Sequence, residues 1–402
     1  MTSVDVDPSL SKRLDVYREI EAYRKRPLIV YATSTRPGVR AMLDGDAVSQ
    51  IVEQIRAIGK GPAIDVLVHS YGGDPLAAWR IMSTLRESYE KVGVLVPFSA
   101  FSAATLLALG ADEIVMHPFA ALGPIDPQIQ ARTPKGDIQF AYEDVGAFLK
   151  FVKEHVGLTE QAFLTPIMDK LFTMAEPLTI GAAQRASDLS SEIGERMLRM
   201  HMKKEKDVGR AKEIARNLNR SFLNHGDALS RKRAKDELRL QIAESDPKLE
   251  DLIWHAYAEL DAFMELNTPF SHLAVFLGNQ AAAATLTPMP SIQLPANAPP
   301  QVQNQVWTTV MQQALQQLGP PPEVPYNIVI ALVESTRRSA SKVATGKVTA
   351  IRQGLEIKVA PLEVCHGWVV SAVPALSPAA APSPDAAGTK AEHAQGRKPR
   401  RR

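Results

Sequence analysis

The chain has a single cysteine, Cys365, among its 402 residues. That excludes an intramolecular disulfide and any cysteine-based metal cluster. It has no run of 18 apolar residues, so no membrane span is expected. It lacks the phosphate loop Gly-x-x-x-x-Gly-Lys-Ser/Thr and the zinc motif His-Glu-x-x-His, and no cofactor or metal is expected. Its formal net charge of +2 is too small to argue for a nucleic-acid partner, and none is expected. The opening residues Met1 to Asp7 lack the basic and apolar regions of a signal peptide, so the expected location is the cytoplasm.

Hydrophobic residues make up 45% and charged residues 22%, which is globular composition with a real core. The length suits two domains or slightly more. Ser9 to Arg26 carry alternating charge with apolar spacing and predict a solvated amphipathic helix, in an N-terminal helical segment placed at 1–26. Strands are then predicted at Pro27–Ala32, Ile64–Val68, Val92–Val96 and Asp112–Met116, separated by helical patterns. This rhythm argues for an α/β fold with a mostly parallel sheet covered by helices. Ligands in such sheets bind at the carboxyl ends of the strands.

Two turns about thirty residues apart lie at such ends. The first is Ile64-Asp65-Val66-Leu67-Val68-His69-Ser70-Tyr71-Gly72-Gly73-Asp74-Pro75. The second is Val94-Leu95-Val96-Pro97-Phe98-Ser99-Ala100-Phe101-Ser102-Ala103-Ala104. Glycine backbone can aim N–H groups at an oxyanion, and a serine at a strand-to-helix corner can present its hydroxyl. The structural alternative for Ser102 is a helix cap, since serine is a preferred N-cap. Gly72 and Gly73 could equally be a plain tight turn. His69, beside the glycines, is a candidate base.

Later segments give less. Arg196 to Arg220 is basic and reads as a solvated helix face. Residues 246–280 predict a helical extension and 281–300 an Ala/Pro-rich linker. Residues 301–373 predict a small α+β domain, and 374–402 a disordered basic tail. Cys365 and His366 read as structural.

The stretch His69 to Gln128 resembles the Clp-fold, crotonase-like serine peptidases, relatives of ClpP and of signal peptide peptidase A. Gly72 and Gly73 match that group's strand-end turn, Ser102 its nucleophile and Ala103 the following backbone donor. The SDH-type (serine dehydrogenase proteinase) branch is the most similar. It shares the phrase Leu122-Gly123-Pro124-Ile125-Asp126-Pro127-Gln128 and a later His-Gly phrase, here Asn224-His225-Gly226. The resemblance covers roughly residues 25–245, within a domain placed at 27–245. It implies a Ser102–Asp126–His225 triad, an oxyanion hole from Gly72, Gly73 and Ala103, peptide or unfolded-protein substrates, and a homo-oligomer. Two departures stand out. Phe101 and three alanines, Ala100, Ala103 and Ala104, surround the serine where that group usually has glycine close by, and no histidine lies in Gly123–Pro127, where the ClpP base falls. An inert Clp-fold scaffold or adaptor and a crotonase-type acyl-CoA enzyme are the competing functions.

Overall fold

A computed structural model describes residues 9–373 except 134–135, 221, 223, 225, 287–298, 300, 304, 307, 310–320 and 354–355. The predicted linker therefore lies largely, and the predicted tail and His225 wholly, outside the described residues.

In chain order, α1 (Leu10–Arg24) leads into β1 (Leu28–Thr33), α2 (Ala47–Ile58) and β2 (Gly61–His69). Then come α3 (Pro75–Arg86), β3 (Tyr89–Val96), the two-residue β4 (Ser99–Ala100), α4 (Ala103–Leu109) and β5 (Glu113–Met116). Strand β6 (Ala121–Leu122) precedes the hairpin β7 (Ile129–Thr133) and β8 (Gly136–Phe140). Helices α5 (Tyr142–Lys150), α6 (Gln161–Met174), α7 (Pro177–Arg199) and α8 (Val208–Arg220) follow. The chain continues with β9 (Leu229–Ser230), α9 (Arg231–Asp236) and α10 (Pro247–Met264). Strands β10 (Val324–Glu334), β11 (Ser339–Gln353) and β12 (Glu356–Ser371) close the described part.

The main sheet has the order β12-β11-β10-β1-β2-β3-β5. Strands β1, β2, β3 and β5 run parallel, as the β-α-β rhythm requires, and β2 is buried from Ile64 to His69. Fully buried parallel strands read as continuous apolar runs because both faces are covered. One face packs on α2, α3, α4, α7 and α8 through Ile51, Ile81, Leu107, Met197 and Leu218. The other packs on α1 and α10 through Leu14, Tyr17, Ile253 and Leu260.

Three sequence expectations are corrected here. The N-terminal helix is solvated on one face only: Arg13 is fully buried, its guanidinium donating to Glu334 on β10 at 2.8 and 3.0 Å, with Tyr17 donating to the same carboxylate. A buried arginine is tolerated because its partner neutralises it. Helix α10 is not an extension but one wall of the core, packed against α1. Strands β10 to β12 do not form a separate domain. Strand β10 pairs antiparallel with β1, Val30 opposite Glu334 and Thr33 opposite Ala331, so the hairpins extend the central sheet. This pairing satisfies the backbone of β1, which would otherwise be an open, apolar edge.

Candidate active site

Strand β2 ends at His69, and the turn that follows is held by Ser70. Its hydroxyl accepts the Gly72 N–H at 3.0 Å and hydrogen-bonds to Thr33 Oγ1 at 2.7 Å. Its backbone ties the turn to β4: the Ser70 N–H donates to Ser99 at 2.9 Å and the Phe101 N–H to Ser70 at 3.0 Å. Gly72 takes φ 104°, and an added Cβ would lie 2.6 Å from the Ser102 Cβ and 3.0 Å from the Ala103 N. Only glycine lets the two turns approach so closely. Gly73 lies against Leu43, whose N–H donates to the Gly72 carbonyl and whose carbonyl accepts the Asp74 N–H, both at 2.8 Å. Asp74 caps α3, accepting the Leu76 N–H at 2.8 Å, with Pro75 opening the helix.

The second turn differs from a capped helix start. Ser102 precedes α4 at φ 52°, ψ −117°, and its side chain makes no cap hydrogen bond. A serine held in this sparsely populated region costs of order 1–3 kcal/mol and persists only where the surroundings impose it. A sharp, strained corner that exposes a hydroxyl is the geometry of a nucleophile elbow, although the Gly-x-Ser-x-Gly sequence is missing. Ser102 is half-buried at the start of a fully buried helix. Among the described residues no hydrogen-bond partner is found for the Ser102 Oγ or for the N–H groups of Gly73 and Ala103. The Ala103 N–H is one of the orphan donors at a helix start. The Gly72 N–H, in contrast, is already engaged by Ser70.

The small sheet β4-β6-β9 gathers the remaining segments. Strand β4, leading to Ser102, runs parallel to β6, with Ala100 opposite Leu122; β9 runs antiparallel to β6, with Leu229 opposite Leu122. The residues after β4, those after β6 and those before β9 thus leave the sheet at one end. Asp126 is on the second of these, half-buried, and accepts a hydrogen bond from Gln128 Nε2 at 2.9 Å. Its loop is pinned by the Ile125 N–H to Leu218 at 3.0 Å and by Ser190 Oγ to the Ile125 carbonyl at 2.5 Å. Gly123 abuts the Phe101 ring, which an added Cβ would meet at 2.7 Å. Phe101 in turn lies 5.8 Å from the exposed Tyr71 ring. On the third segment, His225 is outside the described residues; its neighbours Asn224 and Gly226 form a turn in which the Gly226 N–H donates to Asn224 Oδ1 at 2.7 Å.

His69 is not brought to Ser102. Its ring packs against Tyr257 of α10 at 5.1 Å, on the sheet face opposite α4, because adjacent residues of a strand point to opposite sides. It is fully buried, with Nε2 3.1 Å from Thr35 Oγ1, and burial lowers its pKa to about 4 against the weaker opposing charge of Asp261. The roles of Ser70 and Thr33 in holding the turn were not anticipated. The spacing Ser70-x-Gly72, typical of a serine folding back on a turn, is the signal for the first. Nothing local marks the second. Among the described residues no group of three or more His, Cys, Asp or Glu could hold a metal ion. Among the same residues no helix is long and apolar enough to cross a membrane.

The chain is similar in part to several known proteins. The chain is 42% identical over 98 residues to an uncharacterized protein of Methanocaldococcus jannaschii, 24% of this chain and 34% of that protein. A second uncharacterized protein of the same organism is 34% identical over 139 residues, 33% of this chain and 47% of that protein. The chain thus spans about half or less of the curated relatives it matches. Among solved structures, the membrane-bound stomatin-specific protease 1510-N aligns at 15% identity and TM-score 0.33, covering 56% of this chain and 82% of that one. ClpP1 from Listeria monocytogenes aligns at 15% identity and TM-score 0.31, covering 60% and 98%. A family model, described as the ClpP-like SDH-type serine proteinase, matches residues 4–148, a span that includes α1, both turns and Asp126. Over that span the chain is similar to the ClpP-like SDH-type serine proteinases.

Proposed function

We propose that this protein is a serine peptidase that cleaves peptide bonds through an acyl-enzyme on Ser102. The observation that carries the reading is the strained Ser102 corner, its hydroxyl uncommitted, wedged against the Gly72-Gly73 turn. In this reading Ser102 Oγ attacks the substrate carbonyl and loses its proton to a general base, because a serine hydroxyl is a weak nucleophile by itself. The oxyanion is taken by the N–H groups of Gly73 and Ala103. Gly72 contributes closeness of approach rather than a donor, since Ser70 holds its N–H. His225 is assigned as base and Asp126 as the carboxylate that orients it, an assignment supported by the common end at which their segments leave the β4-β6-β9 sheet. An imidazole suits that task near neutral pH, and the carboxylate fixes its tautomer.

We infer a homo-oligomer as the working form. Helix α6 supports this: it is rich in apolar residues, yet none is buried, with Phe163 56% and Phe172 39% exposed. An apolar helix face of that size asks for a partner.

Fluorophosphonate labelling, with the labelled residue mapped by mass spectrometry, tests the mechanism. Labelling at Ser102 is expected, vanishing in Ser102→Ala and falling by on the order of 10³ in His225→Ala, because an unassisted hydroxyl is a poor nucleophile. Undiminished labelling of His225→Ala would remove that residue as base. Absence of labelling in folded, assembled protein would reject the peptidase reading altogether.

A further inference from the structure

The two edges of the main sheet are treated differently. At β5, the chain covers its own edge: the Ile114 N–H donates to Gln241 at 3.2 Å, the Ala243 N–H donates to Ile114 at 2.8 Å, and Ile242 bridges in parallel. At the other edge lies β12, 16 residues long. A strand edge of that length presents a row of N–H and C=O groups on which another strand can grow.

The first half of β12 carries the usual protections. It has charges at Glu356, Lys358 and Glu363, the proline Pro361, and a register shift against β11 where Glu363 takes φ 49°. Prolines, charges and bulges each discourage edge pairing. These protections stop at Glu363. From Cys365 to Ser371 the strand pairs with β11 in unbroken register, has no proline, aspartate, glutamate, lysine or arginine, and exposes Cys365, Val369 (39%) and Val370 (49%). A short, apolar, uncharged, proline-free edge is the signature of a segment that pairs with its like.

We propose that Cys365–Ser371 pairs antiparallel with the same segment of a second copy of this chain, about a twofold axis at Gly367, joining the two main sheets into one. The segment's lack of charge favours a like partner, because no like charges are brought together when it meets itself. In an antiparallel pair, opposed residues must point their polar groups the same way, so a twofold axis passes through a residue position rather than between two. Trp368 is unsuited to the axis, its indole N–H being committed to Asp46 at 3.0 Å. Gly367 suits it: it adds no bulk where identical residues meet, and a Cβ placed there finds nothing within 4 Å in its own chain. Cys365 of one copy then faces Val369 of the other, and His366 faces Trp368. This interface is independent of the peptidase reading and of the α6 surface.

The sole cysteine provides the test, on the full-length protein. With the axis at Gly367 the two Cys365 Cα atoms are offset by four residues along the strands, about 14 Å at ~3.4 Å per residue. A bismaleimide of that reach is expected to give a cross-linked dimer, absent in Cys365→Ser. Gly367→Ala should preserve the yield. Gly367→Lys, which has room in the single chain, places two ammonium groups opposite each other and should cut the yield at least tenfold, with circular dichroism and melting unchanged. Association through α6 alone would be indifferent to Gly367→Lys, so undiminished cross-linking in that variant overturns the proposal. So does the lack of a dimer in the parent protein. Hydrogen exchange adds a separate check: protection of the 365–371 amides should grow with protein concentration. Protection independent of concentration would assign the cover to the chain's own residues and reject a second copy.

Discussion

The two ends of β2 are built on opposite principles. Toward its amino end, buried charges are fully matched. Asp65 accepts from Arg24 Nε at 2.7 Å and from Arg26 at 3.2 Å, and both arginines also pair with Glu113. Gly93 leaves the space that the Asp65 carboxylate fills. At the carboxyl end no charge is buried beside the turns, the Ser102 backbone is strained, and the N–H groups of Gly73 and Ala103 find no partner among the described residues. One end is satisfied and serves stability. The other keeps donors and a hydroxyl unspent, which is what a site that stabilises charge only during reaction requires.

Breaking the satisfied end should have the largest thermodynamic effect. Burial raises the Asp65 carboxyl against the pull of its arginines, and Asp65 is the fully buried carboxylate of the cluster, Glu113 being partly exposed. Asp65→Ala leaves Arg24 and Arg26 short of a buried partner and should cost about 3–5 kcal/mol in denaturant unfolding. The labelling rate per folded molecule should not change. A large fall in that rate would show that the two ends are coupled.

Breaking the reactive end should do the reverse. Gly72→Ala forces a Cβ onto Ser102 and the Phe101 carbonyl at φ 104°. We expect a fall on the order of 10²- to 10³-fold in kcat/KM from misplaced oxyanion donors, and a smaller loss of stability. Peptide turnover and melting measured on one preparation separate the two. A change confined to melting would mean that the turn serves only the fold.

How much of this contrast was legible in the sequence depended on distance along the chain. Strands β1, β2, β3 and β5 were readable because each is an apolar run stopped by local turn signals. The separation of Gly72 and Ser102 was readable because both close consecutive β-α units. The burial of Arg13 and the docking of β10 on β1 were not. Arg13 looks like a solvated helix residue until it meets Glu334, 321 positions away, and no local pattern carries that pairing. His69 misled for a subtler reason. Its neighbour Ser70 holds the Gly72-Gly73 turn, but one step along a strand reverses the face, and the ring lies under α10 instead. The Ser102 corner itself follows from contacts with Gly72 and Phe101 that composition cannot reveal, and nothing local in the sequence signals that the serine side chain makes no cap bond.

His69 sharpens the comparison from the side of pH. Its pKa falls from 6.5 to about 4 on burial, so the unfolded chain takes up a proton before the folded one does. Its contribution to stability is therefore complete above about pH 6.5 and is lost progressively as pH falls toward 4. Between pH 6.5 and 5 this amounts to about 2 kcal/mol, at 1.4 kcal/mol per unit. His69→Gln should remove that part of the pH dependence of melting while leaving fluorophosphonate labelling at neutral pH in place. Loss of labelling would return His69 to the list of bases, against its position on the far face of the sheet.

The smallest expected effect is the most direct probe of strain. Ser102 holds φ 52°, ψ −117°, a conformation that glycine adopts without the steric cost of a Cβ. Ser102→Gly should abolish labelling and peptide turnover while raising stability by about 1 kcal/mol, a gain that Ser102→Ala should not share. Such a gain would mean that the chain gives up stability to hold its hydroxyl at the corner, the trade expected of a reactive centre and not of a structural turn. A destabilised Ser102→Gly would instead make the serine a contributor to packing at the start of α4, and the unsatisfied end of β2 would need another explanation.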